Sequence, residues 1–490
     1  MRVTTAVAAA TTGIGLWLAA MGVVVEAADP VYMPLTYKPR TSARPAPAGG
    51  QWSTMAVGAD GTQRPLPHIL DLQIDLDAAG FLQGASVGIV TLQSLNPHLW
   101  AYFAPVLFLG DQIVDVLIDT GSAGLGVPIE TPTNWTDKDF QKIDPFKAAA
   151  ERIPCSDPRC RGSCDNPSGS HFCGPHGGSC ARIDGEDVCT FAWLYGDGSS
   201  AAGVLLSAPV ELGGRQANST FGGIIRASDN FFEAPRGGGI MGLSFGGYSL
   251  CDSEFSCFPP LLDDIVRQCH LDDKFTVCAH GDDAVLILGG GDSRLYEGNV
   301  TYAPLQPPFG FYWVDVKDVQ MAGETLVERS SPSFLSRLRQ ATTGRLSSAS
   351  MTALVDTGNS AMYLPEQIFD NFKEQLQKIL SPLPFPTLFD RQRSIFNGYA
   401  MYIAPELLAQ MPPLVVMLDG GVNITIPSDQ YTQEFRVPEV DVPLRALKIV
   451  RGGRFVLGQT ALNHAYVEID RSSKTIGFAR SRPGCRPEGK

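Results

Sequence analysis

At 490 residues the chain is longer than one ordinary core organises, so two domains or lobes are expected. Its 44% apolar and 18% charged residues exclude gross disorder, and a formal net charge of -13 argues against a nucleic-acid partner, because no basic excess exists to neutralise phosphates. The same acidity suits a soluble secreted protein and is compatible with work at acid pH.

In chain order, Arg2 precedes an apolar run from Ala6 to Val25, and Val25 and Ala27 suit a small-residue cleavage site. Residues 1–27 therefore read as a secretory signal peptide, with an uncleaved signal anchor as the alternative because the run approaches bilayer length. No later segment is long and apolar enough to span a membrane. Residues 28–90 contain "KPRTSARPAPAGG" and similar Pro/Gly/Ala-rich stretches, and are expected to form a pro-segment or flexible region with little fixed structure. From "YFAPVLFLGDQIVDVLID" onward, short β-rich runs alternate with Gly, Pro and Asp turns, so the fold class is mainly β with few short helices. One helix is predicted over "PEQIFDNFKEQLQKIL", where Ile368, Phe369, Phe372, Leu376 and Ile379 share a face; a shorter one is predicted over Pro260 to Cys269.

Eleven cysteines occur, six of them clustered as Cys155, Cys160, Cys164, Cys173, Cys180 and Cys189 in a segment too rich in Gly, Ser, Pro and Asp to build an apolar core. Disulfides are expected to hold it, with the connectivity open. His171 and His176 permit a zinc reading, but no C-x-x-C spacing supports it, and no metal or other cofactor is expected. Cys251 with Cys257 and Cys269 with Cys278 are candidate local pairs, which leaves Cys485 single. Sequons at Asn134, Asn218, Asn299 and Asn423 fit a secretory route, ending in secretion or an endomembrane or vacuolar lumen.

"VLIDTGSAGLGVP", Val116 to Pro128, ends an apolar strand in an aspartate followed by a glycine turn, and "ALVDTGNSAMYLP", Ala353 to Pro365, repeats the pattern. Each copy is followed by an apolar-apolar-Gly element, "GGGIMGLS" with Gly242 and "GRFVLGQT" with Gly458. A repeat of this kind implies two similar lobes, here residues 91–305 with Asp119 and 306–490 with Asp356. Two carboxylates brought to one site cannot both ionise, so one proton stays between them and a general acid and a general base can coexist there.

These residues resemble the pepsin-like aspartic protease family, over about Val90 to Arg482. The "WLYGDGSSAAGVL" segment and the cysteine-rich insert before it are most similar to the nepenthesin-like branch. The resemblance implies a bilobal fold around a central cleft, catalytic roles for Asp119 and Asp356, and an aspartic endopeptidase acting on protein or peptide substrates as a monomer. It implies that Thr120 and Thr357 brace the two loops while Gly121 and Gly358 bend beneath the carboxylates. It also gives Ser122 the support of Asp119, with Asn359 donating to Asp356 from a position where Thr or Ser is usual. Tyr195, Gly196, Asp197 and Gly198 are implied as the flap over the substrate. Gly126 stands where Trp is common, which implies no indole donor for Tyr195 and a roomier pocket. The four arginines of "VERSSPSFLSRLRQATTGRLSSAS" read as a solvated loop. A catalytically silent binding or inhibitor-like protein on the same fold is the alternative; loss of either aspartate is its usual mark, and both are present. A metal-dependent module centred on the cysteine-histidine cluster is the third class considered.

Overall fold

The computed structural model describes residues 31–39, 55–57, 63–65, 89–90, 100–130, 141–160, 180–196, 198–228, 231, 238–246, 250–251, 257–327, 351–381, 395–398, 400–435 and 443–485. The sequence expectations for the signal peptide, Asn134, Cys164, Cys173, Asp197 and the arginine-rich segment fall outside these residues.

The architecture is mainly β, as the alternation of apolar runs and turn residues predicts. The strand Gln112–Asp119 alternates buried and part-exposed residues over its outer half, then becomes buried throughout from Leu117 to Asp119 as it enters the core. It pairs with Gly239–Gly242 in parallel, Gly242 opposite Asp119, and Gly239–Gly242 in turn lies antiparallel to Leu125–Pro128. The second half repeats this plan. Met351–Val355 runs parallel to Phe455–Leu457, with Val355 opposite Leu457, while Met362–Pro365 crosses antiparallel at Tyr363 and Val456. The sequence repeat is thus a repeat of strand pairing, and each copy delivers one aspartate to the end of a buried strand.

A large sheet links the ends of the chain. From Tyr296–Pro304 it passes through Thr475–Ser481, Ala465–Asp470, Lys274–His280, Asp283–Leu288, Val31–Pro39 and Trp100–Phe108 to Gln112–Asp119. Val31–Pro39 departs from the expectation of little fixed structure for residues 28–90. Val31 stands opposite Leu288 and Pro39 opposite Trp100, so the segment is a strand between two others. The reason is non-local: "VYMPLTYKP" carries Val, Tyr, Leu and Thr suited to a pleated surface, but the two neighbouring edges that make it a strand lie far away in sequence.

The helices follow the predicted periodicity. Glu366–Leu380 buries Ile368, Phe369, Phe372, Leu376 and Leu380, whereas Ile379 is only half-buried. Leu261–Cys269 ends on His270 in the left-handed region, φ 57°.

Cysteine pairing differs from the expected local scheme. Cys278 bonds to Cys485, across 207 residues, and Cys269 is free. The Cys269–Cys278 pair and the single Cys485 are therefore corrected. Cys269 ends its helix with its sulfur toward the Gln216 carbonyl, while Cys278 lies in the buried cluster that receives the chain's C-terminal end. Sequence proximity carried no information about that docking. In the insert, Cys155 bonds to Cys180 and Cys160 to Cys189. The sulfurs of Cys155, Cys160 and Cys180 lie within 4.8 Å of one another, but these bonds leave no thiolates there to hold a metal. Cys251 stands opposite Cys257 in a short antiparallel pair.

Candidate active site

Asp119 and Asp356 meet at the floor of a cavity of about 550 Å³. Two threonines hold the loops together with near-twofold symmetry. The Thr120 N–H donates to Thr357 Oγ1 (3.1 Å) and the Thr357 N–H to Thr120 Oγ1 (2.9 Å); each hydroxyl then donates to the strand beneath the other aspartate, Thr120 to the Val355 carbonyl (2.8 Å) and Thr357 to the Ile118 carbonyl (2.9 Å). Four buried bonds thereby fix one carboxylate relative to the other.

The glycines are required by approach distance. A Cβ on Gly121 would stand 2.6 Å from the Asp356 carboxyl carbon, and one on Gly358 would collide with the Asp119 carboxyl. Their bare backbones also donate, Gly121 N–H to Asp119 Oδ1 (2.8 Å) and Gly358 N–H to Asp356 Oδ1 (3.0 Å). Gly242 and Gly458 serve the layer behind, where a Cβ would run into the backbone of 122–123 and of 359–361 respectively. That close approach lets Ser244 N–H reach the Ser122 carbonyl (2.9 Å) and Gln459 N–H reach the Asn359 carbonyl (2.7 Å), equivalent acceptors met by donors one position apart in the two halves.

The two carboxyls are hydrogen-bonded to each other. Burial, and then the charge of Asp119 beside it, push the Asp356 carboxyl well above the usual carboxylate range, while the backbone N–H groups of Gly358 and Asn359 pull the other way. The pair is therefore built to retain a proton where an isolated carboxylate would have lost it.

Two supporting roles differ from those expected. Ser122 Oγ is buried and hydrogen-bonds neither Asp119 nor any other described group. Asn359 reaches the Asp356 carboxyl through its backbone N–H, and its side-chain Oδ1 accepts from the Ala361 N–H (3.1 Å). Over the cleft, Glu186–Leu194 and Ser200–Leu212 form a hairpin whose turn closes through Tyr195 N–H to the Ser199 carbonyl (2.8 Å), with Gly198 at φ 79°. Tyr195 and Gly196 line the cavity, and the Tyr195 ring packs on Phe231 at 5.4 Å. The space beside Gly126 is not open, contrary to expectation. The Trp193 indole fills it, standing 2.6 Å from where a Gly126 Cβ would be and 2.8 Å from one on Gly124 or Gly222.

Sequence reading missed Trp193, whose signal was the matching absence of side chains at 124, 126 and 222. It also missed the walls. Phe103, Leu117, Phe231 and Ile240 make an apolar wall on the first-lobe side, and Leu354, Tyr363, Arg454 and Val456 line the second. These residues converge from strands too far apart for any one motif to hold them.

A bilobal β fold with paired Asp-Thr-Gly loops facing one cleft defines the class, and the chain belongs to the eukaryotic aspartyl protease family, whose profile matches residues 102–481. Among its relatives are rhizopuspepsin-1 of Rhizopus niveus, 25% identical over 65% of this chain and 73% of its own length, and pepsin A of Sus scrofa, 22% identical over 78% and 87%. Secreted aspartyl protease 1 of Malassezia globosa is 22% identical over 60% of this chain; the match spans 62% of that relative's length. Among the described residues no helix is long and apolar enough to cross a membrane.

Proposed function

We propose that the protein is an acid endopeptidase in which Asp119 and Asp356 together activate a water against a peptide carbonyl. The observation that carries this reading is the mutual hydrogen bond of the two carboxyls, with the Asp356 carboxyl raised well above the usual carboxylate range by burial and by its partner's charge. In the singly protonated pair, one carboxylate takes a proton from water as its oxygen attacks the carbonyl carbon. The carboxylic acid gives its proton to the carbonyl oxygen, forming a gem-diol. Collapse of that intermediate breaks the C–N bond: the protonated carboxyl gives its proton to the leaving nitrogen, the carboxylate takes one from a gem-diol hydroxyl, and the pair is back to one shared proton. The proton belongs to the pair, so neither aspartate is assigned a fixed role.

The Tyr195 hairpin serves as the flap, excluding water and aligning an extended peptide against the floor. Because both lobes contribute to the floor, one chain supplies a complete site. Exposed Asn218, Asn299 and Asn423, together with the three disulfides described above, support a secretory location.

The test is purified mature protein against a peptide library from pH 2 to 8, with and without pepstatin. Cleavage on the acid side, blocked by pepstatin and absent in Asp119→Asn, is expected. A folded protein that cleaves nothing at any pH would instead be a binding protein.

A further inference from the structure

The cleft has a charge asymmetry that peptide hydrolysis itself does not use. Besides the aspartates on the floor, Arg454 is the one ionisable Asp, Glu, Lys, Arg or His among the cavity's described lining residues. It sits in the turn between Ile449–Gly452 and Phe455–Leu457, two strands that pair on either side of Met362–Pro365, with Tyr363 opposite Val450 on one and Val456 on the other. The other arginine beside that turn, Arg451, points outward and is neutralised by Glu366 and Asp370 on the neighbouring helix. Arg454 is exposed, and no carboxylate among the described residues pairs with it. Gly452 and Gly453 precede it. A Cβ at Gly453 would meet nothing within 4 Å, so no side chain of its own screens the guanidinium from a ligand in the cleft. The first-lobe wall, by contrast, is apolar, with Phe103, Leu117, Phe231 and Ile240 packed beneath the flap.

We infer that Arg454 is a specificity residue: the second-lobe side of the cleft accepts the carboxylate of a substrate Asp or Glu side chain, while the first-lobe side takes a bulky apolar residue. The guanidinium offers a planar fork of donors that matches a carboxylate in two parallel bonds. Its charge is constant across the acid range, whereas a glutamate in the substrate ionises only above about pH 4. The preference is therefore itself pH-dependent, present at pH 5.5 and lost at pH 3 as the substrate carboxyl protonates.

This inference builds on the endopeptidase reading, and the experiment separates the two. Peptides with a Phe-Phe core and either Glu or Gln at each of three positions on both sides are titrated against the full-length Asp356→Asn protein, and the same peptides are offered to the unmutated protein for cleavage. At one position the Glu peptide should bind about fivefold more tightly than the Gln peptide at pH 5.5 and equally at pH 3. With Arg454→Gln added the ratio should fall to about one, and with Arg454→Glu it should drop below one. The ratio is internal to each variant, so a change in overall affinity does not enter it. Equal binding of Glu and Gln peptides at every position, or a preference that survives Arg454→Gln, overturns the inference. Failure of the unmutated protein to cleave any of the peptides counts against the endopeptidase reading and leaves the binding ratios to decide on Arg454.

Discussion

Replacing Thr357 with valine keeps the shape of the side chain and removes its hydroxyl. That hydroxyl accepts from the Thr120 N–H at 3.1 Å and donates to the Ile118 carbonyl at 2.9 Å, both in a region closed to solvent. The substitution leaves one backbone donor and one backbone acceptor buried and unpaired, at roughly 1–3 kcal/mol each, so a loss of about 4 kcal/mol is expected. Thr357→Ser keeps both bonds and gives up only a methyl group, at about 1 kcal/mol. The assay is urea unfolding at pH 4, followed by tryptophan fluorescence, on all three proteins. Peptide cleavage is measured in parallel, where a shift of the two aspartates by about 1 Å would lower kcat on the order of a hundredfold. Valine within 0.5 kcal/mol of the unmutated protein, or serine as damaging as valine, would refute the bracing argument.

Three further outcomes follow from the same geometry. Because the folded pKa of Asp356 is raised, the fold binds a proton there that the unfolded chain releases. Its contribution is full below the ordinary carboxylate pKa of about 4 and is lost as pH rises through the raised value. The stability advantage of the unmutated protein over Asp356→Asn should therefore shrink in thermal melts from pH 4 to pH 7, and an advantage that grows with pH would contradict the assignment. Tyr195→Ala should lower kcat/KM by about tenfold with an unchanged melting temperature, because the flap loses its contact with Phe231 and its hold on substrate; unchanged kinetics would remove Tyr195 from the flap role. Trp193→Ala should cost about 3 kcal/mol by emptying the space beside Gly124, Gly126 and Gly222, whereas Trp193→Phe should recover most of it, as read by urea unfolding.

The floor of the site was legible because its chemistry is local. Asp-Thr-Gly packs a carboxylate, a bracing hydroxyl and a bare backbone into three residues, and the pattern occurs twice. The helix Glu366–Leu380 was legible for a similar reason, since periodic burial of Ile368, Phe369 and Phe372 is a property of one segment. What sequence could not supply was pairing at a distance. The strand Val31–Pro39 needs edges at Trp100–Phe108 and Asp283–Leu288. Cys278 finds Cys485 rather than the nearer Cys269, and Trp193 fills gaps left by glycines on two other strands. Gly126 shows the cost of reading one position alone: a missing side chain implied an open pocket, yet a neighbouring strand supplies the ring.

The Cys278–Cys485 bond makes the second half of the molecule a covalent ring, because its two ends lie 207 residues apart and almost everything from the large sheet onward falls between them. A linear chain cut at one surface loop becomes two molecules held only by packing; a ring cut once is still one molecule. For a protein in a proteolytic environment this separates nicking from dissociation. Asp356 and its supporting strands stay tethered to the sheet that carries Asp119 even after a peptide bond between residues 278 and 485 has been hydrolysed. Such a molecule would run at full mass on a gel without reductant and fall into pieces only when the disulfide is opened, so its working lifetime is set by redox conditions as well as by the first cut.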